Sequence, residues 1–460
     1  MSIFKQVQQG FGARTLANLT LFVLVSAWLF GGATRFDVFA PVLPMLAALV
    51  VLALLAVTPG RRRLSFLEKA CIAGLFLIAV VQLVPLPPQI WRQLPAHEYP
   101  AHLLGLFGQS PWLPLSLTPS RTISSGFAFA PALAVYLAAR DLPAAQANRI
   151  LGWLVAFAGI SALLGLLQVS GGTGSKLRFY AITNDDAAVG FFSNANHFGT
   201  FVALCAPIAV YLGLRFDLKR REASYGPLVL GGGVALLLIA GAIASFSRAA
   251  YGAAAIALLL SAFMILLRLP IPRRARGFAI SGLALAIAVA GLVLVRTPLF
   301  QHLAETDQVG TDGRLALVPV YLRMIAASFP FGTGLGSFDA TYRAFENYEK
   351  MSANYLNNAH NDLAQVVIEA GLLGLVVLIG WVVLIGRTLG NAARHPEALE
   401  GERSLGWLRL AVLAYGIIVL LGHSLVDYPL RGAAASATFA LLLALTVGGA
   451  SPLKRREDEG

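Results

Sequence analysis

The sequence predicts an all-α polytopic membrane protein with about twelve transmembrane helices and a large, partly helical loop between spans nine and ten. Hydrophobic residues make up 57% of the 460 residues and charged residues only 13%, against about 25% charged in an ordinary soluble protein. The mean hydropathy is +0.72. The apolar residues also form runs close to the length of about 20 residues that crosses a bilayer. This composition excludes a disordered chain, a coiled coil and a disulfide-rich secreted domain.

Twelve apolar runs follow one another along the chain, and each is bounded by charged residues or by Pro and Gly. We expect each run to form one span, which places both termini on the same side of the membrane. The runs lie near residues 16–34, 38–58, 70–90, 122–139, 150–169, 193–214, 227–245, 249–267, 278–297, 361–386, 408–426 and 432–449.

The basic residues predict the orientation of these spans. Of the 35 Lys and Arg residues, 23 fall in segments on the same side as the termini. Basic residues concentrate in cytoplasmic loops, so the termini are predicted to be cytoplasmic. The net charge of +12 is therefore explained mainly by topology, and no nucleic acid partner is expected. Cys71 and Cys205 lie inside apolar runs as packing residues, which implies neither a disulfide nor a zinc site.

The chain divides into spans one to nine (1–297), a loop domain (298–360), and spans ten to twelve with a cytoplasmic tail (361–460). Within the loop, the segment PFGTGLGSF alternates three glycines, which predicts a tight backbone turn. Ser337 is a candidate N-cap for a helix over 337–356, with an aromatic stripe that includes Tyr342 and Tyr348. We expect this stripe to pack the loop onto the membrane domain, rather than to stack on sugar rings.

Ionisable side chains within spans are costly and usually functional. Few exist here, and the candidate functional residues cluster instead at the outer ends of the spans. The cluster consists of His197, Arg248, His360, Asp362, Glu369, His423 and Asp427. Two of these residues have a plain structural alternative. Arg248 is either a membrane-surface anchor or a guanidinium that grips two phosphate oxygens. His360 is either a capping histidine or a base that accepts a proton at neutral pH. Its neighbours Asn361 and Asp362 are candidates to orient a base.

Five motifs occur in order over roughly residues 185–430: GFFSNANHFG, SFSR, TDGR, PFGTGLGSF and AHNDLAQVVIEAGLLG. Together they resemble the motifs of the O-antigen ligase / Wzy_C superfamily. The resemblance implies a metal-independent, inverting glycosyl transfer from undecaprenyl diphosphate that uses two periplasmic arginines and one histidine. The matching residues are Arg248, Arg314 and His360. Arg314 is the looser match, and periodicity alone would place it on the solvated face of a helix. No cofactor is implied.

The resemblance further implies a multi-pass protein of the bacterial inner membrane with a periplasmic active site. The expected donor is an undecaprenyl-diphosphate-linked glycan, and the expected acceptor is lipid A–core or another glycan. A ligase is favoured over a Wzy-type polymerase or an O-linked protein oligosaccharyltransferase, because the one large loop lies late in the chain. A solute transporter is the alternative from another class. The supporting residues are predicted to be Asn194, Asn196, His197, Ser247, Asn361, Asp362, Glu369, His423, Asp427 and Arg431.

Overall fold

The computed structural model describes residues 11–33, 40–219, 225–295, 311–346 and 356–447, with only the helical backbone at 293–295 and 311–315. In chain order the helices are α1 (Ala13–Phe30), α2 (Val42–Ala56), α3 (Phe66–Leu83), α4 (Pro88–Trp91), α5 (Glu98–Leu106), α6 (Pro119–Ala128), α7 (Ala130–Ala139), α8 (Ala144–Ser170), α9 (Ala195–Lys219), α10 (Gly226–Ala244), α11 (Arg248–Arg268), α12 (Arg273–Val295), α13 (Thr311–Ser328), α14 (Phe338–Tyr342), α15 (Asp362–Arg394), α16 (Glu397–Glu400), α17 (Arg403–His423) and α18 (Ala433–Val447). A 3-10 turn lies at Pro429–Arg431.

Ten helices in the described part are long and apolar enough to cross a membrane. They are α1, α3, α6 with α7, α8, α9, α10, α11, α12, α15 and α17. The predicted spans near 38–58 and 432–449 correspond to α2 and α18, which have 15 residues each and fall below that length. The all-α polytopic fold is confirmed, whereas the count of twelve spans is not. The third span ends at Leu83 rather than near residue 90, because Pro85 and the prolines after it cannot continue a helix.

Helix α9 forms the centre of the bundle, with 78% of its apolar window buried. It packs against α8, α10, α11 and α17. Close approach of the backbones depends on small residues, as is common between membrane helices. A Cβ atom built on Gly213 would lie 2.3 Å from the carbonyl oxygen of Pro227, at the start of α10. The two helices could therefore not pack this closely with a larger residue at that position.

A buried acidic residue, Glu400, ties the helices together at one end of the bundle. Its carboxylate oxygens lie 2.8 Å from Arg215 Nε, 3.2 Å from Arg409 Nη1 and 2.7 Å from the Tyr211 hydroxyl. Burial alone would raise the pKa of Glu400, but the hydrogen bonds from Asn148, Arg215 and Tyr211 outweigh it and lower that pKa. Arg215 and Arg409 are among the 23 basic residues on the predicted cytoplasmic side. They therefore also hold neighbouring helices together.

The other end of the bundle carries the longer connecting segments. After α3, the strands Pro85–Leu86 and Leu113–Pro114 pair antiparallel and enclose α4 and α5. The helix predicted over 337–356 ends earlier than expected: α14 has five residues and residues 343–345 form a turn. The rest of the predicted helix to residue 355, with Tyr348, lies outside the described residues. Tyr342 is buried and stacks on Phe338, with 5.7 Å between ring centroids. Both rings belong to a hydrophobic cluster with Ile368 of α15, so this part of the stripe packs the loop onto the membrane domain as predicted.

The glycine turn, residues 330–336, docks onto a break in α15. Gly371 has φ 56° and ψ −142°, which interrupts the helix of the span predicted near 361–386. The break releases backbone groups that the turn satisfies: Thr333 N donates to Ile368 O at 3.0 Å, and Gly334 N donates to Glu369 O at 2.9 Å. Gly332, Gly334 and Gly336 all have positive φ, so the predicted tight turn is confirmed.

Candidate active site

Asp427 lies at the centre of the candidate site, in the turn that follows α17. Its side chain is fully buried. Asn196 Nδ2, in the first turn of α9, donates to its Oδ2 atom at 3.0 Å. The backbone N–H of Tyr428 donates to its Oδ1 atom at 2.9 Å. A buried carboxylate is stable only when its oxygens have such partners, so the turn is built to hold a charge here.

Three imidazole rings surround this carboxylate. His360 Nδ1 is 3.2 Å from Asp427 Oδ1, His197 Nε2 is 3.7 Å from the same oxygen, and His423 Nε2 is 3.7 Å from Oδ2. Burial alone would raise the pKa of Asp427, but the histidines His197, His360 and His423 outweigh it and hold that pKa well below its ordinary range. The carboxylate therefore stays ionised and acts as an acceptor toward the rings.

The ring of Tyr428 contacts both His360 and His197. It packs edge-on against His360 at 4.8 Å and against His197 at 5.2 Å, measured between ring centroids. The two histidines differ in exposure: the His197 side chain is 2% exposed and that of His360 is 13% exposed. His360 is thus the imidazole of this pair with an edge toward the surface of the site.

The backbone around His360 is held in an unusual conformation. His360 has φ +47°, a left-handed value that is rare for a residue other than glycine. On one side, Ala359 N donates to Gln365 Oε1 at 2.9 Å. On the other, Asn361 caps α15 by accepting from Ala364 N at 2.9 Å. Strain of this kind persists only where the surroundings fix it, and it is common at functional sites.

Arg431 joins two acidic residues of α15 next to the histidines. Its Nε atom lies 2.9 Å from Asp362 Oδ1 and its Nη1 atom lies 3.3 Å from Glu369 Oε2. Glu369 is fully buried and also accepts from Gln365 Nε2 at 2.9 Å and from Phe338 N at 3.3 Å. Asp362 therefore pairs with Arg431, and the carboxylate beside His360 belongs to Asp427.

Arg248 is the first residue of α11 and is exposed at the same end of the bundle. Ser247 caps this helix by accepting from Ala250 N at 3.3 Å. The turn packs against the start of α9, because a Cβ atom on Gly199 would lie 2.2 Å from Ser245 Oγ. Gly199 is two residues beyond His197, so the arginine turn and the histidine cluster share one supporting helix.

Two further predicted residues are Asn194, which has a local structural role, and Arg314, whose side chain the structure does not describe. Asn194 accepts from Asn196 N at 2.8 Å and so fixes the start of α9. Arg314 is in the first turn of α13, and its side chain lies outside the described residues. In the described part, no group of three His, Cys, Asp or Glu side chains is arranged to hold a metal ion.

Three residues of the site were missed from the sequence: Gln82, Gln365 and Tyr428. Gln82 Nε2 donates to Glu369 O at 2.8 Å, and its Oε1 atom accepts from Leu335 N at 2.9 Å, so it joins α3, the break in α15 and the glycine turn. Gln365 and Glu369 are polar residues four apart in an apolar span. That spacing places both side chains on one helix face. The spacing alone could therefore have identified Gln365 as a partner of Glu369.

Comparison with known proteins gives one family. The family model of Wzy_C, described as O-Antigen ligase, matches residues 233–379. The match includes Arg248, the glycine turn, His360 and Glu369. It confirms the resemblance found from the sequence motifs and supports glycan transfer of the ligase or polymerase type in general. No curated protein matches the chain.

Proposed function

We propose that this membrane protein, whose residues 233–379 match the family model of O-antigen ligases, moves a glycan from undecaprenyl diphosphate to an acceptor hydroxyl. The observation that carries the proposal is the contact between His360 Nδ1 and Asp427 Oδ1 at 3.2 Å. A carboxylate beside one nitrogen of a partly exposed imidazole is the usual arrangement of an oriented general base.

The tautomer of His360 follows from its contact with Asp427. An ionised carboxylate can only accept, so Asp427 favours the tautomer with the proton on Nδ1 and leaves the lone pair of Nε2 available. In the proposed reaction, Nε2 removes the proton of the acceptor hydroxyl. The oxygen forms a bond to the anomeric carbon, the bond from that carbon to the diphosphate breaks, and the electron pair leaves with the diphosphate. Attack from the opposite side inverts the anomeric centre.

Arg248 is proposed to bind the diphosphate. It stays protonated, presents a planar fork of donors and stands at the N-terminus of α11, where the helix dipole favours an anion. Arg314 is proposed to share this role on the strength of the TDGR motif. Stabilising the charge that develops on a leaving group is often a large term in catalysis, and arginines supply it without a metal ion.

The proposed setting is the bacterial inner membrane, with cytoplasmic termini, the active site on the periplasmic face and residues 298–360 as the periplasmic loop domain. The acceptor is proposed to be lipid A–core. A transporter would also use a broken helix such as α15. Here, however, the backbone groups on both sides of the break are hydrogen-bonded to the glycine turn: Thr333 N donates to Ile368 O, and Leu372 N donates to Pro330 O at 2.8 Å. This pattern favours a rigid support for the site.

A reconstituted transfer assay tests the proposal. Purified lipid-linked glycan is supplied with lipid A–core, with more of the same glycan, or with a pilin-like acceptor protein. Product only on lipid A–core supports a ligase, whereas chain elongation or protein glycosylation alone would replace it with one of the other two activities.

The same assay tests the proposed roles of His360 and Arg248. We expect His360→Ala to abolish transfer at normal membrane abundance, while His395→Ala, an exposed histidine at the other end of the bundle, leaves it unchanged. Arg248→Lys should retain more transfer than Arg248→Ala, because lysine keeps the charge and loses the fork. Unchanged transfer by His360→Ala would refute its role as the base.

A further inference from the structure

The nine-residue helix α5, in the segment between the two short strands, has no buried residue. A helix this short is not stable in water on its own, because isolated helices below about 12–15 residues are marginal. The residues of α5 and of the turn after it nevertheless include large apolar side chains with high exposure: Tyr99 at 74%, Leu106 at 70% and Phe107 at 70%. No described part of the chain covers them.

The exposed apolar residues lie on one face of the helix. Tyr99, Leu103, Leu106 and Phe107 follow the i, i+4, i+7, i+8 spacing of an amphipathic helix. Glu98 and Gly105 lie on the opposite side of the helix, and His102 lies at the edge of the apolar face. Such a division is typical of helices that lie in the plane of a membrane surface, with the apolar face toward the acyl chains.

The ends of α5 are fixed even though its faces are not packed. The fully buried Trp91 donates from Nε1 to Pro111 O at 2.9 Å. Past the other end, Gln109 N donates to Leu104 O at 2.9 Å, and Arg92 Nη2 donates to Gln109 O at 2.9 Å. The hydrogen bonds of the segments before and after α5 therefore hold the helix in place. Its apolar face stays exposed and does not pack onto the described part of the protein.

The apolar face continues the lipid-facing surface of the bundle. The exposed residues Val80 and Val84 near the end of α3 are followed by exposed Ile90, and Trp112 at 64% exposure precedes the second strand. Tyr and Trp are the residue types that concentrate where a bilayer meets water. This continuity favours lipid over a protein partner as the cover.

We propose that α5 lies in the interfacial region of the bilayer, on the same side of the membrane as the His360 site. Its apolar face and Trp112 contact lipid, while Glu98 and Gly105 face water. The segment is joined to the site through Ser116 N, which donates to Gln82 O, and Leu117 N, which donates to Thr333 O, both at 2.9 Å. It therefore fixes the height of the bilayer surface relative to the glycine turn. The proposal does not depend on the glycan-transfer reaction.

Spin labels on the full-length protein in lipid nanodiscs of phosphatidylethanolamine and phosphatidylglycerol test this arrangement. Both native cysteines are buried, so single labels can be introduced through Leu103→Cys and Leu106→Cys on the apolar face. Glu98→Cys and Gly105→Cys on the opposite side of the helix are the matched controls. Collisions with oxygen, which partitions into lipid, are compared with collisions with a water-soluble nickel chelate.

We expect the two apolar-face labels to favour oxygen, at a depth of about 5–10 Å below the headgroups, and the two control labels to favour the nickel chelate. Equal access of the chelate to all four labels would overturn the proposal. Shielding of the apolar-face labels from both reagents would also overturn it, in favour of a protein contact. In addition, Trp112→Phe should lower the fraction of tryptophan fluorescence that lipids brominated near the headgroup quench, and an unchanged fraction would contradict the proposal.

Discussion

Replacing Asp427 by Asn isolates the contribution of one buried charge to the candidate site. The side chain keeps its shape, and Asn196 and the Tyr428 N–H remain in place. What disappears is the attraction between the carboxylate and His360 when the imidazole carries the proton taken from the acceptor. Asp427 is fully buried, so it acts through His360 as a positioning residue and has no expected contact with substrate.

The structure sets the size of this effect. At the 3.2 Å separation of His360 Nδ1 and Asp427 Oδ1, an effective dielectric constant of about 20 gives an attraction of about 5 kcal/mol between unit charges. Since about 1.4 kcal/mol corresponds to a factor of ten in rate, this is an upper limit near four orders of magnitude. General base catalysis contributes about 10²–10⁴-fold. We therefore expect turnover to fall by about 10²–10⁴-fold.

The assay is glycan transfer by purified protein in nanodiscs, with turnover and the KM for the lipid-linked donor measured separately. The KM should change little, because the donor is proposed to bind through the arginines. Asp217→Asn is the matched control: Asp217 is a fully buried carboxylate paired with Arg268 Nε at 2.8 Å, at the other end of the bundle. Near-normal turnover by a folded Asp427→Asn protein, or a loss as large in Asp217→Asn, would refute the reasoning.

Two further predictions concern stability. Because the pKa of Asp427 is depressed in the folded protein, its charge stabilises the fold above the ordinary Asp pKa of about 3.9, and this contribution is lost as the pH falls toward the native value. As the pH falls through this acid range, the thermal unfolding temperature in nanodiscs should fall less for Asp427→Asn than for the unaltered protein. An identical pH dependence of the two proteins would contradict a stabilising charge on Asp427. Gly371→Ala should lower the unfolding temperature, because a Cβ atom would lie 2.1 Å from Pro330 O and φ is +56°. Gly386→Ala in the same helix, where a Cβ atom would meet nothing within 4 Å, should be neutral or stabilising, so equal destabilisation by both variants would rule out the proposed docking at the break.

Much of the fold could be predicted because hydrophobic periodicity and run length depend on local sequence. The runs place helices in the correct order, and the alternating glycines identify a turn that other residues could not adopt. The boundaries were less predictable. The third span ends at Leu83 because prolines follow it, and α15 breaks at Gly371 because the glycine turn supplies partners for the released backbone groups. The second of these effects depends on a segment that is distant in the sequence.

The sequence by itself determined that this is a polytopic membrane protein with polar residues gathered at one end of its spans. It also determined which residue types are available there, and it showed the resemblance to the O-antigen ligase family that the match over residues 233–379 supports. Only the tertiary structure decided the pairing. Asp362, two residues from His360, pairs with Arg431, while Asp427 from the turn after α17 lies beside the imidazole. The physical reason is that the left-handed turn at His360 and the crossing of helices set these distances, and neither is encoded in the spacing along the chain.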